Sequence, residues 1–397
     1  MTMDRRSFVA TTAATLAASP LRVRVPADPL GVRADFPITT ERVYLNSAYI
    51  APIPTPVVAA GAEFLQNKAR RPLEVGELLG ADGKLRGQFA KLVNASPDEV
   101  GLLFSTAEGE NVIAQGVGLQ AGDNVVVDDL HYPTEFVLYR ALEQSLGIEL
   151  RIVKHRDGAV TAADFEPLVD RRTRIVSVAW VSHLNGFRHE LRPLADLAHA
   201  HGAVFYADII QGVGTVALDV QAAGLDAACA GSYKWLLAGF GVAPFYVKRE
   251  LIDRLRIDRF GEFQIEKELP DHRYELNRTA RKFDYSSRAF GPVRELSAAL
   301  AYLDQVGVAR IEAHTVGLAQ RLYQGLAAQG HRLFTPSGNR SSIVTMYLTT
   351  PADAARAAFQ RANVDVTVRD GQVRIAPALF NTADDVDQCL EVTKGLA

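Results

Sequence analysis

The chain has 397 residues, 48% hydrophobic and 22% charged, a globular composition that excludes disordered and fibrous classes. A formal net charge of −3 offers no basic surface for a polyanion, so nucleic acid is not an expected partner. The two cysteines, Cys229 and Cys389, are too few for a disulfide framework and wrongly spaced for a zinc site, so no metal is expected.

The N-terminus carries Arg5-Arg6, then Phe8 and a weakly apolar run ending near Ser19. This pattern has the regions of a signal peptide and resembles a twin-arginine export signal over residues 1–26. It predicts a periplasmic or secreted protein, cytoplasmic if the signal is not used. Elsewhere no stretch approaches 18 uncharged apolar residues, and no membrane span is expected.

Apolar, β-rich runs follow at Val100–Phe104, Asn124–Val127, Glu149–Val153, Arg174–Trp180, Ala203–Ala207, Ala227–Ala230 and Val242–Val247. Amphipathic segments such as Glu135–Ser145 and Arg192–Ala200 lie between them. Short buried strands alternating with helices predict an α/β fold with a mostly parallel seven-stranded sheet. Arg249–Arg281 is charge-rich and reads as surface loop. Pro292–Ala328 reads as long helix, with Leu296, Leu300, Leu303, Ile311, Leu318 and Leu322 at helical spacing. Strands at Ile343–Leu348, Val364–Val368 and Val373–Ala376 and a last helix at Ala383–Ala397 predict a smaller α+β domain.

Four features sit at strand ends. Phe104-Ser-Thr-Ala-Glu-Gly109 is strand, turn and helix, where free backbone N–H groups can bind phosphate; Ser105 and Glu108 also form a capping box. Asp128-Asp-Leu-His131-Tyr132-Pro-Thr134 places an aromatic at the sheet's carboxyl edge. Asp208 ends a buried strand, where an anion can hold a pyridinium nitrogen protonated; the same residue type also caps helices. Lys234 follows another buried strand in Gly231-Ser-Tyr-Lys-Trp235, where burial lowers an amine's pKa and suits it to a Schiff base.

In this order the features resemble the class V aminotransferase family of fold-type-I pyridoxal-phosphate enzymes, which holds cysteine desulfurases, kynureninases and isopenicillin N epimerases. The resemblance runs from Val43-Tyr-Leu-Asn-Ser-Ala-Tyr49 to Phe380-Asn-Thr382. It implies pyridoxal 5'-phosphate as cofactor, a small amino acid as substrate, and a homodimer with its site near the subunit interface. It implies a large cofactor domain at 51–289 and a small domain built from 27–50 with 290–397. Lys234 is similar to the Schiff-base lysine, Asp208 to the pyridinium partner, and Gln211 to the residue contacting the cofactor's phenolic oxygen. Tyr132 resembles a stacking aromatic, with Thr134 beside it. The backbone of Glu108 and Gly109 resembles the phosphate cup, although the family usually has Thr where Glu108 stands. Ser232 and Tyr233 resemble its side-chain donors, and Ser286-Ser287 the pair that reaches the phosphate across a dimer. Arg374 resembles the arginine clamping the substrate carboxylate, with Asn46, Tyr49 and His183 as further substrate-side residues. Arg288, Arg340 and Arg369 are candidates for a second carboxylate or polar group, or plain surface charges.

Neither cysteine is placed as an accessible low-pKa nucleophile. The expectation is therefore an aminotransferase or epimerase acting at Cα, and not a persulfide-forming desulfurase. A lyase cleaving C–S or C–C bonds is the alternative, and a cofactor-binding sensor without turnover is the non-enzyme alternative.

Overall fold

The computed structural model of the chain describes residues 28–369 and 371–396. The export segment expected at 1–26 lies outside the described residues. A short strand, β1 (Val43–Tyr44), leads into helices Thr55–Arg70 and Val75–Val93. Seven strands follow: β2 (Val100–Leu103), β3 (Asn124–Asp128), β4 (Glu149–Val153), β5 (Thr173–Ala179), β6 (Val204–Asp208), β7 (Ala227–Cys229) and β8 (Ala243–Val247). They form one sheet in the order β2-β8-β7-β6-β5-β3-β4. Only β8 runs against its neighbours; β3 to β7 pair in parallel. β3, β6 and β8 are buried at every position. Helices cover both faces, which is why these strands read as continuous apolar runs.

The parallel register aligns Ala179 with Asp208 and Asp208 with Cys229. The carboxyl ends of β3, β5, β6 and β7 therefore open onto one edge, where ligands bind in open α/β sheets.

Two segments depart from expectation. Arg249–Arg281 is not only loop, because it contains an exposed antiparallel hairpin, β9 (Ile265–Leu269) with β10 (Arg273–Leu276). The long helical pattern after Pro292 is two helices, Phe290–Val306 and Val308–Ala328, broken at Gly307 with φ at +89°. Glycine reaches that conformation at no steric cost. Phe290–Val306 packs on Thr55–Arg70 and Val75–Val93, and its Leu296 and Leu300 join the core beneath the large sheet. The two helices on either side of Gly307 thus pack against different partners, Phe290–Val306 on the N-terminal helices and Val308–Ala328 on the helix Ala383–Thr393 and the strand Val344–Tyr347. The smaller layer holds β11 (Val344–Tyr347), β12 (Val364–Asp365), β13 (Thr367–Arg369) and β14 (Gln372–Ile375), with β11-β14-β13 antiparallel. β1 pairs with β12, and Asn46 bridges Ala376.

Candidate active site

The turn after β7 is anchored from several sides. Gly231 N–H donates to Thr106 Oγ1 at 2.8 Å, Ser232 N–H to Val242 O, and Ala51 N–H to Tyr233 O. Leu237, buried three residues past Lys234, has φ at +60°. That conformation is costly for a bulky side chain and is retained where the surroundings over-determine it. Lys234 itself is buried, and its Nζ lies 5.8 Å from the Tyr132 ring centre and 5.6 Å from that of Tyr233. Burial pulls its amine down to about 8, against the opposing pull of Asp208 and with help from Arg374 and Arg369. An amine in that range serves as a base near neutral pH.

Asp208 closes β6 and accepts the Ile210 N–H at 2.9 Å. Burial raises its pKa, although His131 and Lys234 pull the other way. A cationic ring nitrogen would favour the charged form. Gln211 is largely committed elsewhere. Its Nε2 donates to Ala48 O at 2.9 Å, and its Oε1 accepts the Trp235 indole N–H at 3.0 Å. One N–H remains for a ligand, so Gln211 chiefly ties the N-terminal segment to the lysine turn.

The helix Thr106–Gly116 starts at the edge of the same opening. Ser105 Oγ accepts the Glu108 N–H at 3.3 Å. The Glu108 carboxylate accepts the Phe104 N–H at 2.6 Å and pairs with Arg259 at 2.5 Å. The capping box is therefore displaced by one residue, and the carboxylate that would repel a phosphate is neutralised. Gly109 is needed for packing, since a Cβ there would come within 2.5 Å of Cys229 Cβ. The free donors are instead the Thr106 and Ala107 backbone N–H groups, unused as in any first helical turn. Thr106 Oγ1, accepting from Gly231, keeps its own proton to donate. Sequence reasoning missed Thr106 because the Thr expected two positions later is Glu108.

Beneath the opening lies a buried acidic layer. Tyr132 N–H donates to His131 Nδ1 at 2.8 Å, which leaves the proton on Nε2, 3.0 Å from Ser177 Oγ. Ser177 and Tyr139 hydroxyls both donate to Glu110 Oε1, at 2.6 and 2.7 Å. Burial, and then the neighbouring Glu110, push the Glu135 carboxyl far above its usual range, so it stays protonated. Asp128, at the end of β3, lies 3.0 Å from His189 Nε2. Burial raises Asp128, but His189, His131 and the Leu130 N–H outweigh it and hold the carboxylate charged.

The facing side is cationic. Arg374, on β14, donates to His183 O at 2.8 Å and to Thr367 Oγ1 at 3.2 Å. Its Nε is buried without a partner. Burial, then Arg369, bring its pKa down to about 9. His183 meets the Tyr132 ring edge-on at 4.9 Å and has a buried, unpartnered Nδ1. Burial, then Arg369, Arg374 and Lys234, lower its pKa to about 2, so it is neutral.

Other expected residues divide. Asn46 Oδ1 accepts from Thr367 Oγ1 at 2.6 Å, which places it beside Arg374. Tyr49 is 60% exposed. Tyr233 stacks on Phe240 at 4.2 Å. Thr134 lies in the first turn of helix Pro133–Leu146. Ser232 does not offer its hydroxyl as a phosphate donor, because that proton goes to Gly239 O. Ser287 lines an open cleft with Phe104, Glu108, Gly241 and Tyr285. Arg288 is consumed by Asp82 and Asp284, and Arg340 by Glu190.

A buried amine between two aromatic rings, a buried carboxylate lacking a cation and free donors at a helix start fit pyridoxal phosphate. Lys234 would hold its aldehyde carbon, Asp208 its ring nitrogen and the Thr106 region its phosphate. The class-V aminotransferase family model matches residues 43–388, and the chain belongs to that family of pyridoxal-phosphate enzymes. Among curated relatives, a probable cysteine desulfurase of Methanothermobacter thermautotrophicus is 27% identical, covering 89% of each chain. The solved apo cysteine desulfurase of Thermococcus onnurineus NA1 matches with TM-score 0.85 and 22% identity, over 94% of this chain and 98% of that one. The cystine C–S lyase C-DES, solved with its product cysteine persulfide, matches with TM-score 0.84 and 16% identity, over 91% of this chain and all of that one.

These relatives overturn the expectation of an aminotransferase or epimerase with desulfurase chemistry set aside, since several are named cysteine desulfurases. The error had a physical source. Placing the two cysteines tests whether the chain carries its own sulfur acceptor, and says nothing about which substrate bond breaks.

Proposed function

We propose that the chain is a pyridoxal-phosphate lyase that cleaves the C–S bond of a sulfur-containing amino acid. The observation that carries the reading is the buried Lys234 amine at the end of the sheet, set between the Tyr132 and Tyr233 rings and within the fields of Asp208 and Arg374. Sulfur as the leaving atom is supported by the relatives' printed activities. Bound there, the cofactor supplies an electron sink for the pair left at Cα.

Arg374 receives the α-carboxylate with a planar fork suited to two oxygens. That contact turns Cα toward Lys234, whose neutral amine takes the Cα proton. Asp208 would keep the ring nitrogen protonated, and the Tyr132 and Tyr233 rings flank the Lys234 amine. The Cβ–S bond then breaks with its electron pair on sulfur. In balance, a cysteine derivative and water give pyruvate, ammonia and a thiol or persulfide. Both cysteines are fully buried, and burial raises both thiols, Cys389 to about 12. This supports departure of sulfur on the small fragment.

The reading includes a homodimer, supported by the exposed aromatic rim of Phe104, Phe240, Phe260 and Tyr285 near the opening. It also includes export through the twin-arginine route, carried by Arg5-Arg6 in sequence alone. The test is to supply the purified, cofactor-loaded protein with cysteine, cystine and S-substituted cysteines. Release of pyruvate with a thiol, sulfide or persulfide is expected. Keto acid formed with the C–S bond intact overturns the reading.

A further inference from the structure

The phosphate end of the opening contains an acid that works against it. Helix Thr106–Gly116 begins there, with the Thr106 and Ala107 N–H groups unused. Glu108 stands third in that helix, and its carboxylate bends back to accept the Phe104 N–H at 2.6 Å. It therefore lies within one turn, about 5 Å of helix rise, of any phosphate on those donors. Left alone, a carboxylate at that separation repels a phosphate dianion and competes with it for the helix start.

Arg259 meets this acid from a segment outside the sheet, 151 positions along the chain. Its Nη1 donates to Glu108 Oε1 at 2.5 Å. Its Nε and Nη2 hold Asp258, so the two acids take different edges of the guanidinium. The guanidinium carbon lies 5.2 Å from the Tyr285 ring centre. Arg259 is also fixed at its backbone, because the buried Gln264 donates from Nε2 to both Arg259 O at 3.0 Å and Lys282 O at 2.7 Å. The pair is sheltered, with the Glu108 side chain 12% exposed and that of Arg259 32%. A free surface charge would show neither the backbone tie nor the ring beneath it.

We propose that Arg259 is a positioning residue for the cofactor phosphate and acts through Glu108. It keeps that carboxylate turned to the Phe104 N–H and offsets its charge, so that the helix start accepts a dianion. Arg259 thereby sets how strongly the protein prefers phosphorylated to unphosphorylated pyridoxal. This rests on the phosphate's place at the helix start, and not on which substrate bond is broken.

The probes are pyridoxal 5'-phosphate and pyridoxal, each titrated into the full chain freed of cofactor. Binding is read from cofactor absorbance, and every variant is compared with the unaltered protein, which cancels the hemiacetal that pyridoxal forms in water. Arg259→Gln should weaken pyridoxal phosphate by about five- to tenfold and pyridoxal by less than about twofold. Adding Glu108→Gln to Arg259→Gln should recover most of that loss, because no acid is then left to offset. A purely structural clamp would weaken both probes alike and gain nothing from the second substitution, and either result overturns the proposal. If Arg259→Gln fails to fold, Arg259→Lys and Glu108→Gln decide. The lysine should hold the preference for the phosphorylated probe within about twofold, and Glu108→Gln should keep or raise it. A larger fall in that preference in either variant overturns the proposal.

Discussion

The two sides of the opening treat charge in opposite ways. The floor carries Asp128, Glu110 and Glu135, and neighbouring floor groups compensate them in part, although one oxygen of each carboxyl is buried without a hydrogen-bond partner. His189 pairs with Asp128, Ser177 and Tyr139 donate to Glu110, and Glu135 keeps its proton. The facing side carries Lys234, Arg369, Arg374 and a neutral His183, and it leaves them unsettled, with Arg374 Nε and His183 Nδ1 buried and unpartnered. Both sides hold unpartnered buried atoms, and what separates them is that the acids below are compensated by neighbours while the cations above have no anion; the cationic side is where a ligand completes the structure. Floor substitutions should therefore be read in stability, and substitutions on the cationic side in binding and rate.

The largest expected break is Lys234→Ala. It removes the covalent attachment point and the base, and kcat should fall by about a thousandfold or more. The yellow cofactor band of the purified protein should vanish while thermal unfolding changes little. Arg374→Ala comes next. A desolvated carboxylate partner typically carries 2–5 kcal/mol, so the KM for the amino acid should rise by about a hundredfold. Calorimetry should find only a small loss of stability, because two hydrogen bonds and no ion pair are lost. An equal fall in stability would dissolve the distinction between the two sides.

Floor variants invert that pattern. Glu110→Ala leaves the Ser177 and Tyr139 hydroxyls buried without an acceptor, and should cost about 2 kcal/mol in denaturant unfolding. Glu135→Gln should cost far less at pH 7, because it mimics the acid already present. It should also flatten the pH profile of stability. A carboxyl whose folded pKa is raised contributes fully below the ordinary glutamate value of 4.5 and progressively less as pH rises above it. The unaltered protein should therefore lose stability from pH 6 to pH 9 faster than Glu135→Gln, by up to about 1 kcal/mol per pH unit.

The smallest effect is a shift in a profile. With the free Lys234 amine at about 8, the rate at which the cofactor-free protein takes up pyridoxal phosphate should rise with pH and level off above that value. Arg369 helps hold this amine down, so Arg369→Gln should move the inflection upward by less than about one pH unit. A downward move would mean that Arg369 does not face Lys234.

Much of this frame was legible in the sequence because burial leaves a mark there. Strands covered on both faces are apolar throughout, and a charged residue at their end, such as Asp208 or Lys234, stands out. Glu110 and Glu135 left no such mark, since a glutamate in an amphipathic helix reads as exposed until the neighbouring strand is known. Ser232 and Gln211 were assigned to the cofactor because sequence shows a donor but not what it already holds. Gly109 invited a role in phosphate approach, and the Cys229 contact that requires it spans 120 residues. Arg369 sat among three arginines that spacing could not tell apart. The β13–β14 register, the buried pairs of Arg288 with Asp82 and Asp284 and the surface pair of Arg340 with Glu190 separated them.

The segment Leu45–Ala51 touches both ends of this story. Leu45 N–H donates to Asp365 O, and Ala51 N–H to Tyr233 O, with Gln211 gripping Ala48 between them. Residues near the start of the chain thus join its end to the lysine turn, across more than three hundred positions. A chain still on the ribosome, with residue 365 not yet made, lacks the tie at Leu45 and holds that segment only by Ala48 and Ala51. Substrate handling therefore waits on the C-terminal strands, and a fragment lacking the last forty residues should lose amino-acid binding with Arg374 even where its large sheet has formed.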